Sequence, residues 1–546
     1  QATLMNALKE PLPNKLYYFN TKAEHLSALC KRQYPNQSII HTTLDSDIQL
    51  LAEKTLRHHI QTMTGLGLHH AAVLVADVKS GDVIAYVGSP NFFETSLFGE
   101  IDMVIAKRST GSLLKPFLYA LAIDEGLILP DTILFDIPSN FRGYKPSNFS
   151  KDFQGTVFAK DALTESLNVP AVRLLNKYGI DSFYSFLKQA HITSLFRSPN
   201  GYGLSLILGG AEANLFELTG LYRGLANKGL FSPLSYIKTE QSIPQKQTYP
   251  LISEGSAYLT LETLKNVKRP GSDYYWEFFN DNYPLAWKTG TSYGQKDGWA
   301  IGVSPEWVIG VWVGDVEGKA NSNLTGSRFA GPLLFDIFNQ LPKDLQSIWF
   351  DYPYYGLYPI TLCSETGFTA NTYCPISHDA PKPKHSHYLR RCPYHINIPV
   401  SSSTGFEVCS ECWTIGDVSK TTILDYPVDV TSFIAKRWLI KPFRPEHNPL
   451  CSAYHNTAQL SINYPQHNDT IWLPRDYDGT IQKLTLSASH KHPQKTLYWY
   501  INDTFIQTTK HYHTISKSLE AGTHYLLILD EDGHRESIQF SILLTQ

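Results

Sequence analysis

Apolar runs along the chain predict a sheet assembled from two distant stretches of sequence. Residues 71–88 read AAVLVADV, KSGD and VIAYVG, two β-rich runs around a Gly-containing turn, which predict a hairpin. Strands are predicted again at 285–291, 298–304 and 307–313, where WAIGVSPEWVIGVWVGD indicates a second hairpin. The residues between are mostly helical in pattern, for example 112–125. We therefore predict an α/β domain in which helices flank an antiparallel sheet.

The pattern changes after Leu341. The following residues are rich in Pro, Tyr, Cys and Ser and carry few long periodic runs. Toward the end, alternating runs such as KTLYWYI predict a small all-β sandwich, whose last hairpin turns at Asp532-Gly533. The predicted division is a connecting segment at 1–40, the main domain at 41–345, a Cys/Pro-rich connector at 346–450 and the β-sandwich at 451–546.

Composition narrows the class of protein. The 546 residues include 47 Lys+Arg and 50 Asp+Glu, which gives a net charge of −3. Nucleic-acid-binding proteins usually carry an excess of positive charge, so this composition argues against that class. Continuous apolar runs are too short to span a membrane. The chain begins at Gln1, so we expect a processed or trimmed piece whose targeting and anchoring sequence lies upstream.

The first candidate for chemistry is a Ser-x-x-Lys pattern. On a helix it places a hydroxyl and an amine on one face, and a lysine with a lowered pKa accepts the proton of a serine nucleophile. The pattern occurs at Ser112/Lys115, Ser185/Lys188 and Ser235/Lys238. Ser112 differs in context, because Gly111 precedes it and Pro116 is tolerated only in a first helical turn. We predict that Ser112 opens a helix ending at Glu125, and simple N-capping is the alternative role for this serine.

The second element is Ser-x-Asn, which occurs at Ser89, Ser166, Ser198 and Ser461. Only Ser166 and Ser198 fall between the candidate nucleophile and the Lys-Thr-Gly sequence described next. In TESLNVPAVRLL, Pro170 starts a helix, so we predict that Ser166 and Asn168 lie in the turn before it and face a cleft. Ordinary helix capping by either residue is the alternative.

The third element is the single Lys-Thr-Gly of the chain, on a strand that follows the apolar LAW. Lys288 offers a positive charge, and Thr289 and Thr291 offer hydroxyl donors for a carboxylate, with Ser292 next in sequence. Gly290 lacks a side chain, so another backbone or a ligand can approach the strand closely. A strand end with an ordinary surface lysine is the alternative interpretation.

Together and in this order, the three elements resemble the motifs of the penicillin-interacting serine acyltransferases, the β-lactamases and penicillin-binding proteins. Longer stretches narrow the resemblance to class A penicillin-binding proteins of the 1C type: RSTGSLLKPFLYALAIDEGLILPDTILFD, GYGLSLILGGAEANLFELTGLYRGLANKG, KTGTSYGQKDGWAIGVSPEWVIGVWVGD, TTLDSDIQ, CSETGFTA and CPYH. The final β domain is similar to the C-terminal domain of that type. The resemblance implies a penicillin-binding/β-lactamase-like transpeptidase fold for 41–345.

The resemblance also implies a role for each motif residue. Ser112 would attack the penultimate D-Ala of a peptidoglycan stem peptide, with Lys115 as the base. Ser166 would relay protons to the leaving amine, and Asn168 would hydrogen-bond the amide of the acyl donor. Lys288 would polarise the Ser166 region and attract the substrate carboxylate. The remaining substrate-binding residues would be Thr289, Gly290, Thr291 and Ser292.

The function implied is that of a serine D,D-transpeptidase that cross-links stem peptides, is acylated by β-lactams and needs no cofactor. Its partners would be peptidoglycan stem peptides and glycan strands, with cell-wall synthesis proteins bound through the C-terminal domain. It would act at the periplasmic face of the bacterial inner membrane. No glycosyltransferase signature precedes Ser112, so we expect cross-linking without glycan polymerisation. A D-Ala-D-Ala carboxypeptidase and a β-lactam sensor or scaffold without turnover remain alternatives.

The cysteines allow several interpretations. Five of seven crowd together: Cys363, Cys374, Cys392, Cys409 and Cys412. CPYH and CSEC supply Cys392, His395, Cys409 and Cys412 with the spacing of a zinc ribbon. An oxidising periplasm favours disulfides instead, with Cys451 or Cys30 as the partner of the odd cysteine. We therefore expect disulfides here and no bound metal, with zinc at those four residues and free thiols as the alternatives.

Overall fold

The structure is a computed structural model and describes residues 22–238, 247–271, 283–344, 346, 348–438, 444–451, 459–475 and 481–544. The α-helices of this part of the chain are Glu24–Gln33, Ser46–Met63, Lys115–Glu125, Ala159–Thr164, Asn168–Tyr178, Ile180–Gln189, Pro199–Tyr202, Leu215–Ala226, Glu254–Lys265, Gly331–Gln340 and Val428–Trp438. None of them combines the length and the apolar character that crossing a lipid bilayer requires, among the residues described.

Five antiparallel strands form the central sheet. Their spatial order is Val83–Val87, His70–Asp77, Trp307–Gly314, Asp297–Val303 and Ala286–Thr291. Both predicted hairpins are present and are joined in the middle of the sheet, where Val73 lies opposite Val311. The strand Ala286–Thr291, which we call the motif strand, lies at one edge. The predicted fold class, helices flanking an antiparallel sheet, is confirmed.

The central sheet separates two apolar cores because successive strand residues point to opposite faces. On one face Leu74 packs in a cluster with the helices Lys115–Glu125 and Leu215–Ala226. On the other face Val73 packs in a cluster with the helices Ser46–Met63 and Gly331–Gln340. The strands are therefore buried on both sides, which explains why their sequences read as continuous apolar runs.

The predicted connecting segment at 1–40 needs correction where the structure describes it, and residues 1–21 lie outside the described residues. Residues Glu24–Gln33 form a helix. Leu26, Leu29 and Cys30 are buried in the same cluster as Leu74 of the central sheet. Spacings of three and four residues give this helix one apolar face, so it packs into the large domain rather than only leading to it.

Four short strands form two hairpins in the predicted connector: Leu357–Cys363 with Ser377–Pro383, and His395–Ser401 with Val418–Leu424. The C-terminal part is all-β, as predicted. Its three-stranded sheet contains Leu460–Tyr464, Leu484–His490 and Thr514–Lys517. Its five-stranded sheet contains, in spatial order, Thr470–Leu473, Arg535–Leu544, Gly522–Asp530, Leu497–Ile501 and Thr504–Thr509. Asp532-Gly533 lies in the turn between the last two strands of the chain. The boundaries at 345/346 and 450/451 stay predictions.

Candidate active site

Ser112 lies in a turn that leads into the helix Lys115–Glu125, not in the helix itself. The prediction that Ser112 opens the helix is therefore wrong by one turn. Pro116 explains the difference, since it has no N–H to donate to the Ser112 carbonyl. The N–H of Lys115 donates to that carbonyl instead, over 3.3 Å. Ser112 is half-buried and directly follows Gly111, which adopts a φ of +54°.

Lys115 is fully buried and surrounded by uncharged oxygen acceptors. Its Nζ donates to the Ser166 carbonyl at 2.6 Å, the Leu167 carbonyl at 3.0 Å and Asn168 Oδ1 at 2.7 Å. Burial, and next the positive charge of Lys288, hold the pKa of Lys115 well below its usual value. A lowered pKa makes the unprotonated amine, the form that accepts a proton, easier to reach than in an ordinary lysine, so Lys115 is suited to act as a base.

Ser166 lies in the turn between two helices and adopts a left-handed backbone, with φ +58°. This conformation is uncommon for a residue with a side chain. The second helix begins at Asn168, two residues before the predicted start at Pro170, so Asn168 lies in the helix and not in the turn. Its side chain is held at both ends, because Oδ1 accepts from Lys115 and Nδ2 donates to the Ser147 carbonyl at 2.9 Å. These contacts differ from the role of binding an acyl donor's amide that the resemblance implies.

Lys288 reaches Ser166 from the motif strand. Its Nζ donates to Ser166 Oγ at 2.8 Å and to the Thr289 carbonyl at 2.8 Å, while the Lys115 Nζ lies 3.5 Å from the same hydroxyl. Only 1% of Lys288 is exposed. Burial lowers the pKa of Lys288 to about 7. Two buried amines therefore converge on one hydroxyl, an arrangement suited to moving a proton through Ser166.

The turn before Ser112 and the motif strand are in direct backbone contact. A Cβ added to Gly290 would lie 2.8 Å from the Thr110 carbonyl oxygen, and one added to Gly111 would lie 2.7 Å from the Thr291 nitrogen. The close approach predicted for Gly290 is thus present. It brings the backbone beside Ser112 next to the backbone of Thr291.

The other residues of the motif strand differ in what they contact. Thr289 and Thr291 are half-buried, and Thr291 Oγ1 accepts from the Gly326 N–H at 3.1 Å. Ser292 is 5% exposed, and its hydroxyl accepts from the N–H of Asp297 at 2.8 Å. The structure therefore engages the Ser292 side chain in the turn that follows the strand, because the chain must close that turn to begin the next strand.

Two residues that sequence reasoning missed hold the Ser166 turn in place. Asn148 is 3% exposed, and its Oδ1 accepts from the N–H of Asn168 at 2.8 Å and of Val169 at 3.2 Å. Its Nδ2 donates to the fully buried carboxylate of Asp136 at 2.8 Å. The available signal was weak: Asp136 ends the short strand Ile133–Asp136, directly after apolar residues.

The other copies of the motifs make contacts with residues close to them in sequence. Lys188 donates to the Leu195 carbonyl at 2.8 Å, and Ser235 donates to the Ile237 carbonyl at 3.1 Å. Ser198 caps a short helix by accepting from the N–H of Gly201, which is the alternative role that sequence reasoning left open for Ser-x-Asn. Context and order therefore selected the copies that meet in space.

The cysteine-rich segment forms two groups. Cys363, Cys374, Cys392 and His395 make up what we call the first cluster, and Cys409, Cys412, His447 and Cys451 the second cluster. The alternative of one zinc site formed by Cys392, His395, Cys409 and Cys412 is therefore wrong. The fold brings the two close pairs to different neighbours, which spacing along the sequence does not reveal. The expected disulfides are not formed in the structure. Cys409 Sγ, for example, lies 3.7 Å from both Cys412 Sγ and Cys451 Sγ, which is too far for a sulfur–sulfur bond.

Comparisons with known proteins agree with this geometry. Residues 71–337 match the family model described as penicillin binding protein transpeptidase domain, a range that contains all three motifs. Residues 449–540 match the Penicillin-Binding Protein C-terminus Family.

Two curated proteins are similar to about half of this chain. Penicillin-binding protein 1C of Escherichia coli (strain K12) is 36% identical over 305 residues, which cover 55% of this chain and 38% of that protein. Penicillin-binding protein 1B of Buchnera aphidicola subsp. Baizongia pistaciae (strain Bp) is 31% identical over 293 residues, which cover 50% and 38%. The chain therefore matches well under half the length of these relatives.

Among solved structures, penicillin-binding protein 1A from Haemophilus influenzae is similar with a TM-score of 0.58 and 16% identity. The match covers 72% of this chain and 80% of that one. At this identity the likeness concerns the fold.

Proposed function

Because the chain belongs to the penicillin-binding proteins, and its two family matches are consistent with the 1C type, we propose that it is a serine D,D-transpeptidase of peptidoglycan synthesis that β-lactams acylate. One observation carries the proposal: the Nζ atoms of two buried lysines, Lys115 and Lys288, approach Ser166 Oγ to 3.5 Å and 2.8 Å. The same family membership supports a role in building the cell wall, at the periplasmic face of the inner membrane.

In the first step, the Ser112 hydroxyl attacks the carbonyl of the penultimate D-Ala of a stem peptide. Lys115 takes the hydroxyl proton, since its buried amine has a pKa well below the usual lysine value. The tetrahedral intermediate places negative charge on the former carbonyl oxygen. Backbone N–H groups of Ser112 and Thr291 are the proposed donors to it, a type of contact that lowers the barrier by about 3 kcal/mol.

In the second step, the C–N bond breaks and the terminal D-Ala leaves as an amine after taking up a proton. Ser166 is the proposed relay, because its hydroxyl contacts both lysines. A lysine with a pKa of about 7, as burial gives Lys288, exchanges protons readily at neutral pH. An amine of a second stem peptide then attacks the Ser112 ester, and the same groups act in reverse.

Substrate binding is proposed to use the motif strand. Thr289 and Thr291 are half-buried on this strand, and we propose that their hydroxyls hold a substrate carboxylate together with Lys288. We propose that Asn168 acts mainly by positioning Lys115, in view of the 2.7 Å contact between them. A β-lactam presents a reactive amide in the place of the D-Ala-D-Ala bond, and its acyl group would remain on Ser112.

The test is intact-mass measurement after exposure to a labelled penicillin, followed by peptide mapping. We expect one adduct per chain, on Ser112, and no adduct on the folded Ser112→Ala variant. Ser185→Ala is the matched control, because it removes the serine of another Ser-x-x-Lys copy and should label normally. An adduct at Ser185 or Ser235, or full labelling of Ser112→Ala, would refute the assignment.

A further inference from the structure

The two cysteine clusters share one composition. Each contains three cysteines and one histidine, and within each cluster the ligand atoms all lie within 4.8 Å of one another. Six of the seven cysteines of the chain are used in this way. The seventh, Cys30, is buried in the large domain. Three thiols and one imidazole are a common ligand set of structural zinc sites.

The distances match a tetrahedral metal. Zinc bonds of about 2.3 Å to sulfur and about 2.0 Å to nitrogen put neighbouring sulfurs about 3.8 Å apart, and sulfur and nitrogen about 3.5 Å apart. In the first cluster His395 Nδ1 lies 3.3 Å from Cys363 Sγ and 3.5 Å from Cys392 Sγ. In the second cluster Cys409 Sγ lies 3.7 Å from Cys412 Sγ. These atoms surround a common centre at the spacing of metal ligands.

Disulfides explain the same geometry less well. A disulfide needs two sulfurs about 2.05 Å apart, far closer than the 3.7 Å between Cys409 Sγ and Cys451 Sγ. Three sulfurs also cannot all pair, so each cluster would retain one thiol beside its histidine. A metal ion engages all four side chains of a cluster at once.

The surroundings of the ligands are those of a metal site. In the first cluster, the ring nitrogen of His395 that faces away from the sulfurs, Nε2, lies 2.6 Å from Glu365 Oε2. A carboxylate in this position fixes the tautomer of a metal-binding histidine. In both clusters, backbone N–H groups point at sulfur: Asn371 N–H at Cys374 Sγ and Cys409 N–H at Cys412 Sγ, each over 3.3 Å. Such donors stabilise a thiolate.

We propose that the first and second clusters each bind one Zn²⁺ ion through three thiolates and one imidazole. The three cysteines of a cluster lose their protons to solvent as the metal binds. All four positions are filled by side chains, so the sites are structural and leave no open position for a substrate.

The segment has a clear use for such ions. Its sheets are two-stranded hairpins, which are only marginally stable alone in water. The first cluster lies beside the contact with the large domain, where the Ile133 N–H donates to the Thr366 carbonyl at 2.9 Å and Thr132 Oγ1 to the Gly367 carbonyl at 3.1 Å. A zinc ion bound to Cys363 and Cys392 would stabilise the turn that contains Thr366 and Gly367, which makes this contact.

The decisive experiment is elemental analysis of the full chain, purified without a metal-binding tag and without a chelator. We expect two zinc ions per chain, falling to one in Cys392→Ser and to one in Cys412→Ser. Cys30→Ala is the matched control, since it removes the cysteine outside both clusters and should retain two. Protein without zinc whose intact mass shows the loss of thiol hydrogens would overturn the proposal in favour of disulfides. Stoichiometric iron would overturn the choice of metal.

A second measurement does not depend on the variants folding. Wild-type protein is stripped with a chelator and reloaded with Co²⁺, whose thiolate-to-metal charge-transfer absorption reports cysteine ligation. We expect that absorption to appear, and the stripped protein to gain protease cuts within 346–451 that added Zn²⁺ suppresses. Absence of the absorption, or a digestion pattern that the chelator leaves unchanged, would refute the sites.

Discussion

Lys288 Nζ and Ser166 Oγ lie 2.8 Å apart, and this contact ties the motif strand to a turn more than a hundred residues earlier in the chain. The lysine belongs to an edge strand of the sheet, and the serine to a left-handed turn among the helices. This contact therefore joins the sheet to the helices. The left-handed backbone of Ser166 goes together with a hydroxyl that contacts two amines.

The base is tested by Lys115→Met, which keeps most of the side-chain length and removes the amine. We expect penicillin acylation to slow by at least ~100-fold, the usual scale for the loss of a general base. Rapid-mixing measurement of the second-order acylation constant gives the answer. Lys188→Met is the control, because it changes the lysine of another Ser-x-x-Lys copy, and it should be acylated at the wild-type rate. A near-normal rate in Lys115→Met would show that another residue is the base.

The pKa of Lys288 predicts how stability depends on pH. Burial lowers this pKa to about 7 in the folded chain, against roughly 10.4 for a lysine in an unfolded chain. Between these values the unfolded chain binds more protons, so this group's contribution to the free energy of unfolding rises with pH. We therefore subtract the free energy of unfolding of wild type from that of Lys288→Met. This difference should fall from pH 7 to pH 9, by roughly 1 kcal/mol per pH unit.

Urea unfolding of both proteins at several pH values measures this difference. The exposed Lys107→Met is the control, and its difference from wild type should stay nearly constant. A difference for Lys288→Met that stays constant from pH 7 to pH 9 would show that this lysine remains charged in the fold.

Asn148 should matter through the residues it holds. Asn148→Ala leaves the buried Asp136 carboxylate and the N–H of Asn168 without this partner, at a cost of about 1–3 kcal/mol for each buried group. We expect a lower melting temperature and slower acylation. Asn176→Ala, on an exposed position of the same helix as Asn168, should change neither. Unchanged acylation in a folded Asn148→Ala protein would argue against a positioning role.

The contact between the nucleophile turn and the motif strand is tested by Gly290→Ala. The added Cβ would lie 2.8 Å from the Thr110 carbonyl oxygen, so the turn carrying Ser112 must move. We expect acylation to fall at least ~10-fold while the chain stays folded, as a small displacement of reacting groups costs that much or more. Gly65→Ala, where an added Cβ meets no atom within 4 Å, provides the control. Equal rates in the two variants would contradict the proposed oxyanion hole.

Reaction products separate the enzyme classes. Given a pentapeptide donor, a transpeptidase should release D-Ala and form a cross-linked dimer whose yield rises with added amine acceptor. Mass spectrometry of the products distinguishes the outcomes. Release of D-Ala with hydrolysis alone would favour a carboxypeptidase, and penicillin binding without any release would favour a sensor.

The three motifs could be recognised in the sequence because their signals are local. The motifs at Ser112, Ser166 and Lys288 are each a few residues long and carry their own context, as Pro116 does for the first. Asn148 could not be predicted, since its importance lies in contacts with Asp136 and Asn168 that only the folded chain creates.

The grouping of the cysteines could not be predicted for the same reason. Two close pairs, Cys392 with His395 and Cys409 with Cys412, were recognised as ligand-like. Spacing along the chain could not say that the fold would bring Cys363 to one pair and Cys451 to the other.

The pairing of His70–Asp77 with Trp307–Gly314 has a consequence for synthesis on the ribosome. Because Val73 pairs with Val311, the two central strands of the sheet cannot pair until Val311 has been synthesised. At 5–20 residues per second, translation of the intervening chain takes about 10–50 s, and contacts so distant in sequence form slowly. During that time the strand His70–Asp77 has one unpaired hydrogen-bonding edge and two uncovered apolar faces, and such a strand can template aggregation. A holding chaperone that binds the nascent hairpin should therefore raise the yield of folded chain more than one that acts after release.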